Sequence, residues 1–452
     1  MKRRPLYMLR ALGAAALAGG FCLTALVGCA PGAQQSPPPA SSETAGTGGE
    51  SQPTPAAETG EVHILTGGAL HTGGGEDGFY LPQVMGDGVF GTVVDTGTGR
   101  QRVLCSLPGC DHTGPDCEGW MCSAEPLGEQ AADTCALLCD GDTLLWLVFD
   151  DPVTENESYA DVSAPDGTGR TRLADTLEGS CPAWSNWPNG FFTDGTDYYF
   201  LTSRDGSDAV LSRLDPESGE TTLTELPGGS PGTLIGTDGG AVLFWQQEED
   251  LGRLLALDLA AARVTQRDSW LNQTPGVLGA AAADGTLYAA AEQEGKTVLL
   301  AGPEEGSPAV LAELPASPDG AQAVAAALKG PFDGCLMIDL YYPNMADGAS
   351  APARRCGVEL DTGNCHPLEN TWQTDASPEP ALLLAAGEDT LWLAMTHSPA
   401  VSVTVDDQGR PSRNEGSTAQ TVLADAGEYL TGSTETRPVT MLTETFTAHI
   451  PH

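Results

Sequence analysis

Apolar positions along this chain come in short runs, each closed on both sides by Asp, Gly, Ser, Thr or Pro. One pattern recurs: an acidic turn, most often Asp-Gly, followed by an apolar or aromatic run. It stands at Asp77-Gly78, Asp140-Gly141, Asp194-Gly195, Asp238-Gly239, Asp284-Gly285, Asp333-Gly334 and Glu388-Asp389. The intervals are 63, 54, 44, 46, 49 and 55 residues. Between these markers lies a second one, apolar-Asp-x-x-x-Gly or a variant. Examples are Val94-Asp95 to Gly99, Leu214-Asp215 to Gly219, Leu360-Asp361 to Gly363 and Val405-Asp406 to Gly409. Asp166-Gly167 and Asp258 are looser copies. Asp-Gly supplies the positive φ that tight hairpins need. The flanking runs are rich in Val, Leu, Tyr, Phe and Trp, which suits strands.

Two hairpin signals per unit imply four strands per unit. A lone unit of this kind cannot bury both faces of its sheet, whereas neighbours stacked in a ring can. The pattern therefore predicts an all-β fold, a β-propeller of about seven four-stranded blades over residues 62–452. Six and eight are the neighbouring counts. Val62 to Thr66 is expected to close the ring by joining the last unit, Ala381 to Leu442. The Ala-rich stretch Ala321 to Lys329 reads as a helix or, equally, as a strand. Tyr80, Trp146, Tyr199, Tyr288 and Trp392 hold similar repeat positions. Packing between blades is the expectation for them, ahead of a carbohydrate-stacking ring.

Charge narrows the partners. The chain has 62 Asp+Glu against 20 Lys+Arg, a formal net charge of −42. So acidic a surface repels nucleic acid and anionic headgroups, and neither is expected as a partner. The stretch Asp150 to Asp166, with Asp151, Glu155, Glu157 and Asp161, lacks EF-hand spacing and reads as a solvated insertion rather than a calcium loop. His63, His71, His366 and His397 stand alone and receive no role.

Cys105, Cys110, Cys117 and Cys122 fall close together, with His112 among them. Thiols and an imidazole can form a tetrahedral soft-donor site, so a structural zinc is one reading of these five residues. Cys-x4-Cys-x-His-x4-Cys is not a common zinc-ribbon spacing, and disulfides are the preferred reading. Cys135 and Cys139 share a strand face about 13 Å apart by strand rise, too far to bridge each other. Around the turn Asp361 to Asn364, antiparallel pairing sets Leu360 opposite Cys365. Cys356 and Cys365 are then no simple cross-strand pair, and partners are sought on other strands, with Cys181 and Cys335 available.

The N-terminal region is unlike the rest. Lys2, Arg3, Arg4 and Arg10 precede an apolar segment of about 16 residues, Ala11 to Leu26, short for a membrane span. It ends in Leu26-Val27-Gly28-Cys29, which resembles the lipobox of bacterial lipoproteins. The resemblance implies a signal peptide over 1–28 and lipidation of Cys29 by a diacylglyceryl group, with acyl chains such as palmitate. The protein would then sit on the extracytoplasmic face of the cell membrane, held by its N-terminal lipid. Residues 29–61 are rich in Ser, Pro and Gly and read as a disordered tether with a reach of roughly 30 Å. Lipobox, tether, repeat-built β domain and the run Leu104-Cys105 to Cys117 together resemble cell-surface lipoproteins of anaerobic Gram-positive bacteria. Their folded part is similar to TolB-like propellers. The resemblance implies a surface binding or scaffold role and brings no catalytic residue with it.

Catalytic motifs do not argue otherwise. The one Gly-x-Ser-x-Gly match, Gly228-Gly229-Ser230-Pro231-Gly232, sits among Pro and Gly turn residues and lacks the strand-to-helix setting of a hydrolase elbow. Ser203-Arg204-Asp205-Gly206 lacks the Asp-box spacing, and the Trp of quinoprotein turns is missing after Asp215 to Gly219. The expected function is binding of a peptide, glycan or partner protein through one propeller face, with no cofactor other than the zinc just weighed. The alternative is an extracellular hydrolase or lyase with its site in the central channel.

Overall fold

The computed structural model describes residues 61–65, 73–75, 78–149, 157–177, 190–204, 208–226, 231–248, 251–317, 320–343, 350–368, 371–373, 378–387, 389–405 and 411–442. All fall within one compact unit, Gly60–Pro451. The expected signal peptide, Cys29 and the tether up to residue 60 lie outside the described residues, as do Asp77, His71 and Cys181. Among the described residues no helix is long and apolar enough to cross a membrane.

The fold is a seven-bladed β-propeller of mostly four-stranded antiparallel sheets. Blade 1 runs Gly73–Gly75, Gly78–Met85, Gly88–Asp95 and Arg100–Val103. Blade 2 runs Cys135–Asp140, Thr143–Val148, Tyr159–Ser163 and Thr171–Ala174. Blade 3 runs Phe191–Thr193, Tyr198–Arg204, Asp208–Leu214 and Thr221–Leu226. Blade 4 runs Thr233–Asp238, Ala241–Glu248, Leu251–Asp258 and Arg263–Arg267. Blade 5 runs Val277–Ala283, Thr286–Gln293, Lys296–Pro303 and Ala309–Glu313. Blade 6 runs Ala325–Phe332, Cys335–Pro343, Ser350–Glu359 and Cys365–Pro367. Blade 7 runs Leu382–Ala386, Thr390–Val405, Pro411–Asp425 and Arg437–Pro438. The strand Ala325–Phe332 resolves the Ala-rich stretch as sheet.

Both sequence markers are hairpin turns. The acidic-Gly marker joins the first and second strand of its blade, where a two-residue turn needs positive φ. Asp284 and Gly285 have φ 49° and 71°, and Asp333 and Gly334 have 44° and 71°. The second marker joins the third and fourth strands. The Asp95 carboxylate accepts from Thr98 N at 2.6 Å, and Asp215 accepts from Glu217 N at 2.7 Å, which fixes each turn. The closing glycine of that turn touches the blade before it. A Cβ on Gly219 would lie 2.1 Å from Leu173 O of blade 2, and one on Gly99 would lie 2.9 Å from Pro438 O of blade 7.

The core is divided among the seven gaps between blades, as shared faces require. Leu243 and Leu254 of blade 4 meet Leu287 and Leu300 of blade 5. Phe79, Leu81 and Val94 of blade 1 meet Leu384, Trp392 and Leu423 of blade 7, which closes the ring. Tyr80, Trp146, Tyr199, Tyr288 and Trp392 are all buried in such gaps, as inter-blade packing requires.

Ring closure differs from the expectation. His63–Ile64 does not join blade 7. It pairs with Phe191–Thr193, the innermost strand of blade 3, as a fifth strand on the channel side. Val62 N donates to Gly239 O of blade 4, and both Val62 and Leu65 are buried. The seam is crossed instead by a C-terminal strap. Pro438 pairs with Val422 of blade 7, while Thr440 N donates to Gly99 O of blade 1 at 2.8 Å and Thr440 O accepts from Gln101 N of blade 1 at 2.9 Å.

Candidate metal centre

The chain leaves blade 1 after Val103 and returns as the short strand Trp120–Ser123, which pairs with Gly88–Asp95. Two hydrogen bonds pin the base of the excursion: Leu104 N to Gly91 O at 2.9 Å, and Gly91 N to Gly119 O at 2.7 Å. Between these anchors the loop turns back on itself. Gly109 has φ 75° and His112 has φ 52°. These turns gather Cys105, Cys110, His112 and Cys117, whose donor atoms all lie within 4.8 Å of one another. His112 Nδ1 is 3.3 Å from Cys117 Sγ. This cluster can hold a metal ion.

The surroundings act oppositely on two of the thiols. Burial works to raise the Cys105 thiol, but the backbone near Leu107 and Glu118 and the neighbouring thiols hold it below its ordinary value. Cys117 lies deeper, and burial, with Cys105 and Cys110 beside it, pushes its pKa up to about 12. Phe90, Val103 and Trp120 floor the cluster with apolar surface. Phe90 and Trp120 meet edge to face at 5.3 Å. The Glu118 carboxylate accepts from Ser106 N and Oγ at 2.8 and 2.7 Å, tying the two ends of the loop together.

Cys122 is not brought into this group. It lies in the gap between blades 1 and 2, with its sulfur 3.5 Å from Cys135 Sγ. Cys356 and Cys365 do meet, contrary to the sequence expectation. The turn closes one residue earlier than assumed: Glu359 N bonds Asn364 O, so Cys365 pairs with Val358, and Cys356 lies diagonally across. Their side chains lie in the gap between blades 5 and 6, and each thiol shifts the other, Cys356 upward and Cys365 downward. Asp161 is also corrected. It is a buried residue of the third strand of blade 2, paired with Arg170 at 2.8 Å and Arg172 at 2.5 Å. His366 sits 2.7 Å from Glu359.

Sequence reasoning missed Arg170. Its Nε bonds Asp161, its Nη1 donates to Glu118 O and Trp120 O at 2.9 and 2.7 Å, and its Nη2 donates to Tyr159 Oη at 3.0 Å. The guanidinium also lies 4.1 Å from the Trp146 ring centre. One side chain of blade 2 thus clamps the returning end of the metal loop. Its distance in sequence from that loop leaves no spacing signal. Between loop and blade 2 runs a cleft of about 590 Å³ lined by Trp120, Tyr159 and Arg172, among others.

No protein-family model matches the chain. No curated protein matches it either. Among solved structures, one described in a study of two prolyl endopeptidases shares 11% identity, with a TM-score of 0.41, over 81% of this chain and 55% of that one. TolB from Acinetobacter baumannii shares 13% identity, with a TM-score of 0.31, over 81% of this chain and 79% of that one. Prolyl oligopeptidase B from Galerina marginata shares 12% identity, with a TM-score of 0.36, over 77% of this chain and 45% of that one.

Proposed function

We propose that this chain is a lipid-anchored, extracytoplasmic binding protein whose propeller takes a cationic partner, a basic peptide segment, on the face formed by its first hairpin turns. One observation carries this reading: an aspartate recurs in each of the six described turns between first and second strands. Asp140, Asp194, Asp238, Asp284, Asp333 and Asp389 come round the ring at one end of the inner strands. Asp284, Asp333 and Asp389 are exposed, as is the neighbouring Asp142, while Asp194 is buried and Asp238 pairs with Arg267. Like charges arranged round one mouth add their fields, attract cations and repel anionic surfaces. The anchor rests on the basic start and on Leu26-Val27-Gly28-Cys29, and it would keep this face in reach of wall or surface partners.

The full chain is tested against lysine-rich, neutral and glutamate-rich peptides at low and high salt. Retention of the lysine-rich peptide, falling steeply with salt and with the triple substitution Asp284→Asn, Asp333→Asn, Asp389→Asn, is the expected result. Equal retention of all three peptides overturns the reading. Loss of membrane partitioning on Cys29→Ser tests the anchor separately.

A further inference from the structure

We propose that Cys105, Cys110, His112 and Cys117 bind one Zn²⁺ in a closed structural site, and that Cys122 is not a ligand. Three sulfurs and one imidazole nitrogen form a soft, borderline donor set that suits zinc over the oxygen-seeking magnesium and calcium. Tetrahedral zinc with ordinary Zn–S and Zn–N bonds sets its donors about 3.3–3.8 Å apart. The four donor atoms already converge within 4.8 Å, and His112 and Cys117 are at 3.3 Å. Only a small contraction of the loop is needed.

Three features set these residues apart from a disulfide framework. Three thiols cannot pair among themselves without leaving one over, and the fourth cysteine of the run has its sulfur beside Cys135 instead. Backbone turns closed by Cys110 N to Leu107 O at 3.3 Å and Cys117 N to Gly114 O at 3.0 Å hold two of the thiols in place without any bridge between them. The imidazole is also drawn into the group, which a disulfide would not require.

Binding displaces the thiol protons to solvent, and no electrons move. Four protein donors leave no open position, so the ion activates no water. It fixes the loop instead. The loop ends at Glu118 and Trp120, which Arg170 grips through their carbonyls, so the metal would make the joint between blades 1 and 2 rigid.

The test is metal analysis of the full chain after removal of free metal, paired with cobalt substitution. About one zinc per chain is expected, falling to about a tenth or less in Cys105→Ser and in the double variant Cys110→Ser, Cys117→Ser. Cobalt should give the visible bands of a tetrahedral thiolate site in the parent chain. Cys122→Ala should keep both zinc and cobalt signals, which separates ligand loss from misfolding. Zinc that survives in the double variant would place the metal elsewhere on the acidic surface and overturn the proposal. So would zinc lost equally in Cys122→Ala, or a peptide map showing Cys105, Cys110 or Cys117 in a disulfide with no zinc bound.

Discussion

Two of the seven inter-blade joints are built in different ways. At the seam between blades 7 and 1, among the described residues, no strand is shared and no inserted loop crosses. Apolar side chains meet, with the Phe79 and Trp392 rings stacked at 6.0 Å and 19°. The terminal strap then ties the outer edges, with Arg437 donating to the carbonyls of Gly97 and Thr96. At the joint between blades 1 and 2 the apolar core is larger, and a polar clamp is added. Arg170 spans Asp161, Glu118, Trp120 and Tyr159, while Tyr159 Oη donates to Met121 O at 2.6 Å. The difference follows from what each joint must hold. The seam brings together flat sheet faces far apart in sequence, and surface complementarity suffices. The other joint must also fix an irregular loop, whose backbone groups need named partners.

The comparison can be broken at four points. Trp392→Ala empties a fully buried position at the seam and should cost about 4 kcal/mol, read by chemical denaturation. A cost below about 1 kcal/mol would mean the strap alone holds the seam. Arg170→Ala should cost about 3 kcal/mol, because it leaves the buried Asp161 and two loop carbonyls short of a partner. Arg170→Lys should recover little of it, since an ammonium cannot reproduce the fork. Removing residues 437–452 should cost about 2 kcal/mol, about 1 kcal/mol net for each of the two backbone hydrogen bonds between Thr440 and blade 1.

The smallest effect is a pH dependence. Burial foremost raises the Tyr159 hydroxyl well above the usual tyrosine value, with Arg170 opposing. In the unfolded chain this phenol ionises at about 10. Its contribution to stability is therefore complete below that pH and declines as pH rises above it, because the unfolded state sheds the proton first. Tyr159→Phe should cost about 1 kcal/mol at neutral pH and flatten this alkaline slope. The seam core contains no tyrosine, so variants there should leave the slope unchanged.

How much of this was legible follows the same division. The hairpin turns were readable because Asp-Gly chemistry is local, and seven markers, from Asp77-Gly78 to Glu388-Asp389, pointed to about seven blades. Four of the five proposed metal donors come together, because Pro-Gly and Gly-Pro turns lie within the run itself. Cys122 departs because the strand Trp120–Ser123 carries it into a core that its near neighbours do not announce. Cys356 and Cys365 were misjudged through a turn with Gly363 at φ 72°, which shifts the register. A two-residue strand such as His63–Ile64 has no periodicity to read, so its place on blade 3 could not be anticipated. Arg170 was invisible for a similar reason: a long-range clamp leaves no local pattern.

The entry of the chain at blade 3 has a mechanical consequence. A pull on the segment ahead of residue 62 is first borne by the bond of Val62 to Gly239 of blade 4 and by the short pairing of His63–Ile64 with Phe191–Thr193. While that pairing holds, the force enters the ring at blades 3 and 4, away from the seam where blades 7 and 1 meet. Detaching those two residues would dissipate a tug before the junction least protected by backbone continuity feels it.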